Sequence, residues 1–329
     1  MPSALFAFCL LFCTTPYGGE ILIAFRAFIA YNGAMAFEIS PRLSAASLLA
    51  ADLPERTPIL APILASKSLA LLYGPRGLGK TFVALGIAWA AASGASFLNW
   101  RATRPHHVVY VDGEMAAVDM KARLAMFGPA PPGLDFMLAD LQAASPPDLG
   151  TVEGQQRLMA AWGHPDLVIL DNLSSLAGFQ GGDPDRWNEL QRFLMLQRRF
   201  GRAMLLVHHA NKRGGQRGTN RREDVLDVVM SLRRPADYAA RQGARLEIHF
   251  DKARGLHGDA VDPIEARLVT DTDGSARWLW RPTQPALVRQ AAALLGEGLS
   301  TARLAEQLGI SRSHAYRLRD EATEKGLLA

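Results

Sequence analysis

Cysteine is nearly missing from this chain of 329 residues: Cys9 and Cys13 are the two present, both close to the start. Everything after them lacks a disulfide and a thiolate metal site, which suits a reducing compartment. Long apolar runs are also missing. Ala4 to Cys13 is one stretch and Ile21 to Tyr31 another, broken by Arg26, and neither approaches the roughly 18 apolar residues that mark a membrane span. Early positive charge is absent too, since the first basic side chain is Arg26, whereas a signal peptide opens on basic residues. Residues 1–34 are therefore expected to be an extension that neither anchors nor exports the chain, with Met35 as the expected functional start. No internal repeat or low-complexity tract occurs. Net charge is small, +4 from 36 Lys and Arg against 32 Asp and Glu, so charge permits a nucleic-acid partner without arguing for one.

One motif outweighs these absences. Gly74-Pro75-Arg76-Gly77-Leu78-Gly79-Lys80-Thr81 is a complete G-x-x-x-x-G-K-T phosphate loop. The apolar Ser68–Tyr73 precedes it as a strand, and Phe82–Ala90 follows as a buried helix. The glycines let successive backbone N–H groups curl toward phosphate oxygens at a helix N-terminus. Lys80 is expected to reach the β/γ-phosphates and Thr81 to ligate Mg²⁺, so ATP and Mg²⁺ are the expected ligands. Such a nucleotide requirement also points to the cytoplasm.

Strand-like and helical runs alternate from about Ser40 to Pro282, which predicts an α/β fold with a mostly parallel sheet covered on both faces. The expected strands are Ala70–Tyr73, Val108–Asp112, Leu167–Asp171, Met204–His208, Val225–Leu232 and Leu246–Phe250. Expected helices cover Met115–Phe127 and Thr151–Trp162, and another opens at Asp183-Pro184-Asp185. A hairpin from Ile264–Val269 to Ala276–Trp280 turns at Asp273-Gly274, and Pro282–Pro285 reads as a linker. The expected domains are thus 35–282 and a small helical domain over 283–329.

Four further constellations narrow the chemistry. Val108–Asp112 ends in Asp112-Gly113-Glu114, and strand ends of a parallel sheet face the ligand crevice, so Glu114 is placed to polarise an attacking water. Asp112 reads alternatively as a turn or helix cap. Leu167-Val168-Ile169-Leu170-Asp171 is a Walker B strand whose aspartate holds Mg²⁺ through water. Met204–Val207 delivers His208-His209 to the same edge. Neighbours on a strand face opposite sides, which argues against zinc; one histidine is expected at the γ-phosphate or water and the other inside the core. Finally, Leu246–Phe250 carries Lys252 and Arg254 beyond it, a spacing that by itself reads as a solvated turn.

Taken in order, Gly74–Thr81, Asp112-Gly113-Glu114, Leu170-Asp171-Asn172, His208-His209 and Lys252-x-Arg254 resemble the RepA-type hexameric helicases of plasmids, within the wider RecA/DnaB-like AAA-domain ATPases of mobile-element replication. The resemblance implies a RecA-like core, a homo-hexameric ring, Mg-ATP at subunit interfaces and single-stranded DNA in a central channel. By position it makes Lys80, Thr81 and Asp171 the nucleotide and Mg²⁺ ligands and Glu114 the catalytic base. It also makes His208 the link from γ-phosphate to DNA loops, and Lys252 with Arg254 a pair acting in a neighbour's site.

Two segments suit nucleic acid directly. Lys212, Arg213, Arg217, Arg221 and Arg222 stand in a glycine-rich stretch just after the histidines, read either as a phosphate-binding loop or as a solvated one. Leu173–Asp183 is a second candidate channel loop, with Phe179 available to stack on a base. In the tail, Leu304, Ala305, Leu308, Ile310, Ala315 and Leu318 form an apolar stripe around Gly309 and a Ser311 cap. Arg312, Ser313, Tyr316 and Arg317 are left outward, the spacing of a helix-turn-helix for duplex DNA or for a protein partner. No membrane partner is expected.

Overall fold

The computed structural model describes residues 42–143, 147–178, 184–209 and 224–328. The chain divides into two units, one ending at Pro54 and one beginning at Glu55. The described part of the first holds a single short helix, α1 (Ala45–Ala50), capped by the Ser44 hydroxyl. The N-terminal extension, the basic stretch with Lys212, Arg213, Arg217, Arg221 and Arg222, and Phe179 lie outside the described residues.

The second unit is built on a nine-stranded sheet. Two small hairpins come first, β1 (Pro58–Leu60) with β2 (Leu64–Ala65) and later β4 (Ser96–Phe97) with β5 (Trp100–Arg101). The large sheet holds β3 (Leu69–Gly74), β6 (Val108–Asp112), β7 (Leu134–Leu138), β8 (Leu167–Asp171), β9 (Ala203–His209) and β10 (Val228–Arg233), all parallel. Beyond β10 it turns antiparallel through β11 (Arg245–Ala253), β12 (Ile264–Thr270) and β13 (Ala276–Pro282), giving the order β13-β12-β11-β10-β3-β9-β8-β6-β7. This is a RecA-like α/β core. The parallel strands β6 and β8 are buried along their whole length, as expected where both sheet faces are covered.

On one face lies α2 (Lys80–Ser93), whose buried residues run almost continuously from Val83 to Ala92, the pattern of a helix enclosed on all sides. It packs with Phe97, Trp100, Leu205, Val207 and Ile248. Gly86 is required there, because a Cβ would stand 2.1 Å from the Phe97 ring. The other face is covered by α4 (Val152–Trp162), α5 (Leu173–Leu176) and α6 (Pro184–Arg199), which bury Leu158, Leu173, Leu190 and Phe193 against Val168, Leu170 and Leu206. A shorter helix, α3 (Ala117–Ala125), follows β6.

Several boundaries differ from the sequence expectation. Helix α3 is shorter than Met115–Phe127 because Asp112 ties up the backbone of Glu114 and Met115 in a turn. The strand expected from Val225 begins at Val228, since the Asp227 carboxylate is engaged by the Leu69 amide at 2.9 Å and by Arg198 at 2.6 Å. Leu173–Leu176, the first part of the expected channel loop Leu173–Asp183, is helical with Leu173 and Leu176 buried, and 179–183 lie outside the described residues. Edge strand β7 goes unrecognised in sequence because its half-buried residues lack strict alternation. The Pro282–Pro285 linker is divided between β13 and the next helix, leaving Thr283, whose amide donates to Pro263.

The C-terminal residues form three helices, α7 (Gln284–Gly296), α8 (Thr301–Gln307) and α9 (Arg312–Glu324). Val288, Ala291 and Ala292 of α7 complete a small core with Leu304, Ala305, Ala315, Leu318 and Ala322. Gly309 takes the left-handed φ of +62° that the turn requires, and Ser311 caps α9 through the His314 amide at 3.2 Å. Arg312, Ser313, Tyr316 and Arg317 are exposed on α9.

Candidate nucleotide site

Strand register brings the polar residues to one edge. Gly74 of β3 pairs with His209 of β9, Asp171 of β8 with Val207, and Asp112 of β6 with Asp171. Four strand ends thus deliver the phosphate loop, both aspartates and a histidine into the crevice above the sheet. A cavity of about 510 Å³ opens there, within the range of small-molecule sites.

The loop curls as its glycines allow, with Gly77 at φ +70° and Gly79 at φ +107° capping α2. Lys80 is buried, and its ammonium donates to the carbonyls of Gly74 at 2.9 Å and Pro75 at 2.8 Å. Burial lowers its pKa to about 8, against the opposing pull of Asp171 and Glu114.

Asp171 is also buried, which raises its pKa, while hydrogen bonds from Tyr110 (2.7 Å) and Thr81 favour its charged form. The Asp112 carboxyl is likewise raised by burial and accepts from the amides of Glu114 (3.0 Å) and Met115 (2.6 Å). Of the two sequence readings of Asp112, the turn cap is the one observed. It holds up Glu114, whose side chain is 60% exposed to the cavity and takes a hydrogen bond from the Asn172 amide. The Asn172 oxygen meanwhile caps α5 at Ser174 and Ser175. One asparagine therefore fixes Glu114 relative to the Walker B strand.

The two histidines part company as strand geometry demands. His209 lines the cavity with Nε2 3.7 Å from Glu114, and burial followed by the nearby Lys80 charge lowers its pKa. His208 is buried and projects to the opposite sheet face, the side of Met204 and Leu206. The phosphate-facing position expected for His208 is therefore occupied by His209.

Lys252 and Arg254 stand at the other end of the sheet. Antiparallel β11 pairs Ala253 with Val228, which pairs with Ala70 at the start of β3. Both cations reach the Asp224 carbonyl, Arg254 at 2.6 Å and Lys252 at 3.4 Å. Neither lines the cavity of its own chain.

Three cavity residues escape motif reading. Arg234, just beyond β10, donates to the Gly77 carbonyl at 2.9 Å and lies 3.9 Å over the Tyr238 ring. Arg123 of α3 lies 4.7 Å over Phe82 and favours charge on Asp112. No local pattern marks these residues; the turn of each chain segment back to the loop places them.

The donor set suits Mg²⁺, a hard cation that favours oxygen and keeps several waters. Thr81 and Asp171 meet by hydrogen bond. No cluster of three or more His, Cys, Asp or Glu able to hold a metal occurs among the described residues. None of the described helices is long and apolar enough to cross a membrane.

Residues 284–329 match the Homeodomain-like domain. No curated protein sequence matches the chain. Among solved structures, a KaiC-like protein from the hyperthermophilic archaeon Pyrococcus horikoshii OT3 shares 15% identity at a TM-score of 0.48, covering 68% of this chain and 94% of that one. Residues 36–215, which hold the loop, both aspartates, Glu114 and both histidines, match the AAA domain, and the chain belongs to that family.

Proposed function

We propose that this protein is an ATP-driven, ring-forming motor on single-stranded DNA, a replicative helicase of a mobile element. The observation that carries the reading is the course of β9: it ends at His209, 3.7 Å from Glu114, and the chain continues directly into the Lys- and Arg-rich residues 211–222. A change at the nucleotide would therefore pull on a segment suited to phosphates.

In this reading ATP lies along the phosphate loop, with Lys80 leaving the Gly74 and Pro75 carbonyls for the β/γ-phosphates. Glu114, held by Asn172 and the Asp112 turn, orients the attacking water and takes its proton. His209 senses the γ-phosphate beside it. Thr81 and Asp171 hold Mg²⁺, which when bound neutralises phosphate charge. Arg234 and Tyr238 also line the cavity, beside the Gly77 carbonyl, and receive the nucleoside. Lys252 and Arg254 lie too far along the sheet to serve their own site, which supports their use in a neighbouring subunit of a head-to-tail assembly, a ring where the rotation closes. Residues 35–282 act as the motor domain, and 283–329 bind duplex DNA through the exposed face of α9.

A second reading is favoured by one contact. Arg289 of α7 bonds Asp262 at 2.6 Å, on the segment that follows Arg254, so the tail is braced against the ATPase core. That would suit an ATP-switched DNA-binding regulator. Displacement of a strand from forked duplexes with 5′ or 3′ tails decides: ATP-dependent unwinding supports the motor, and site-specific duplex binding without unwinding supports the regulator.

A further inference from the structure

Tyr110 occupies the middle of β6 and is fully buried, with its ring packed against Phe136 at 5.4 Å. In register it stands opposite Ile169, yet its hydroxyl reaches diagonally to Oδ2 of Asp171 at 2.7 Å. A phenol inside an apolar core is costly unless its hydroxyl is paired. A phenylalanine would fill the same space without that requirement, so packing alone does not explain the hydroxyl. The carboxylate it engages is the one that also accepts from Thr81, at the start of α2 on the same sheet face. Asp171 is thus gripped from beneath by a rigid strand residue, while the phosphate loop approaches it from above.

We propose that Tyr110 is a positioning residue for the Walker B carboxylate: its hydroxyl occupies one side of Asp171 and fixes the direction in which the remaining lone pairs meet Thr81 and the divalent cation. This rests on the reading of Asp171 and Thr81 as Mg²⁺ ligands. A carboxylate at a strand end would otherwise rotate about its terminal torsion, which is soft and roughly two-fold. With Oδ2 engaged, the group meets an incoming ion already oriented, and the ordering cost at the moment of binding falls.

The test is Tyr110→Phe in the full chain, with ADP affinity measured by calorimetry in EDTA and across a Mg²⁺ series. The concentration of Mg²⁺ that half-maximally tightens ADP binding should rise about tenfold, equivalent to ~1.4 kcal/mol. ADP affinity in EDTA should stay within about twofold, because the phosphate loop and Arg234 are untouched. A cycle with Thr81→Ala should be non-additive, since both residues act through one carboxylate. Should core disturbance obscure the single variant, the coupling in that cycle still reports the link. Equal loss of ADP affinity with and without Mg²⁺, or an unchanged Mg²⁺ midpoint, overturns the proposal. A wild-type protein whose ADP affinity ignores Mg²⁺ overturns the metal assignment beneath it as well.

Discussion

Replacing Arg254 by alanine separates a shared active site from a self-contained one. Ala253 is in register with Val228 and, through it, with Ala70, whereas the phosphate loop leaves the sheet at Gly74. At about 3.3 Å per strand residue this puts Arg254 roughly 13 Å or more from the loop along the sheet, with its guanidinium turned to the Asp224 carbonyl. It is beyond reach of its own nucleotide. An arginine finger contributes about 10³–10⁵ in rate, so Arg254→Ala should lower kcat by at least about a thousandfold while nucleotide affinity stays near wild type. Steady-state ATPase on single-stranded DNA measures the first, and fluorescent ADP titration the second. Arg234 provides the internal control: it already touches Gly77 in cis, so Arg234→Ala should raise KM far more than it lowers kcat. Mixing Arg254→Ala with Lys80→Ala subunits should restore activity, because some interfaces then pair an intact loop with an intact finger. The reverse pattern would refute the trans assignment: kcat lost in Arg234→Ala and preserved in Arg254→Ala. So would a mixture that stays inactive although subunits exchange and wild type turns over.

Glu114→Gln should retain ATP binding and lose about 10²–10⁴ in turnover, measured as single-turnover hydrolysis, since only the proton acceptor is removed. The depressed Lys80 pKa sets a pH dependence: between about 8 and the ordinary 10.5 the unfolded chain holds a proton that the folded one has released. Stability should therefore rise with pH through that window, and the rise in urea midpoint should be missing in Lys80→Met. Leu318→Ala, at a fully buried position of the tail core, should cost that module ~2–5 kcal/mol and abolish duplex binding by mobility shift, with ATPase unchanged. Gly86→Ala should destabilise the core by ~1–3 kcal/mol in denaturant titration, because its new methyl would overlap the Phe97 ring.

The phosphate loop, the two strands ending in Asp112 and Asp171, and the tail stripe were all legible from sequence, because each is local: glycines at fixed spacing, an apolar run closed by an acid, apolar residues one helical turn apart. The sequence also showed that His208 and His209 must face opposite ways, by strand alternation alone. It did not show which of them meets the cavity, since that depends on β9 lying beside β3 with His209 level with Gly74. Arg234, Tyr238, Arg123 and the grip of Tyr110 on Asp171 were invisible for the same reason. They join the site across strand neighbours distant in sequence, and no periodicity records which strands become neighbours. Helix α3 starts late because the Asp112 carboxylate captures the amides of Glu114 and Met115, while β10 starts after Asp227, whose carboxylate is engaged by the Leu69 amide of β3 and by Arg198. Local chemistry, then, named the expected ligand and most of the polar residues that line the cavity, while sheet order chose which histidine lines it, brought Arg234 to the loop and set Arg254 at the other end of the sheet.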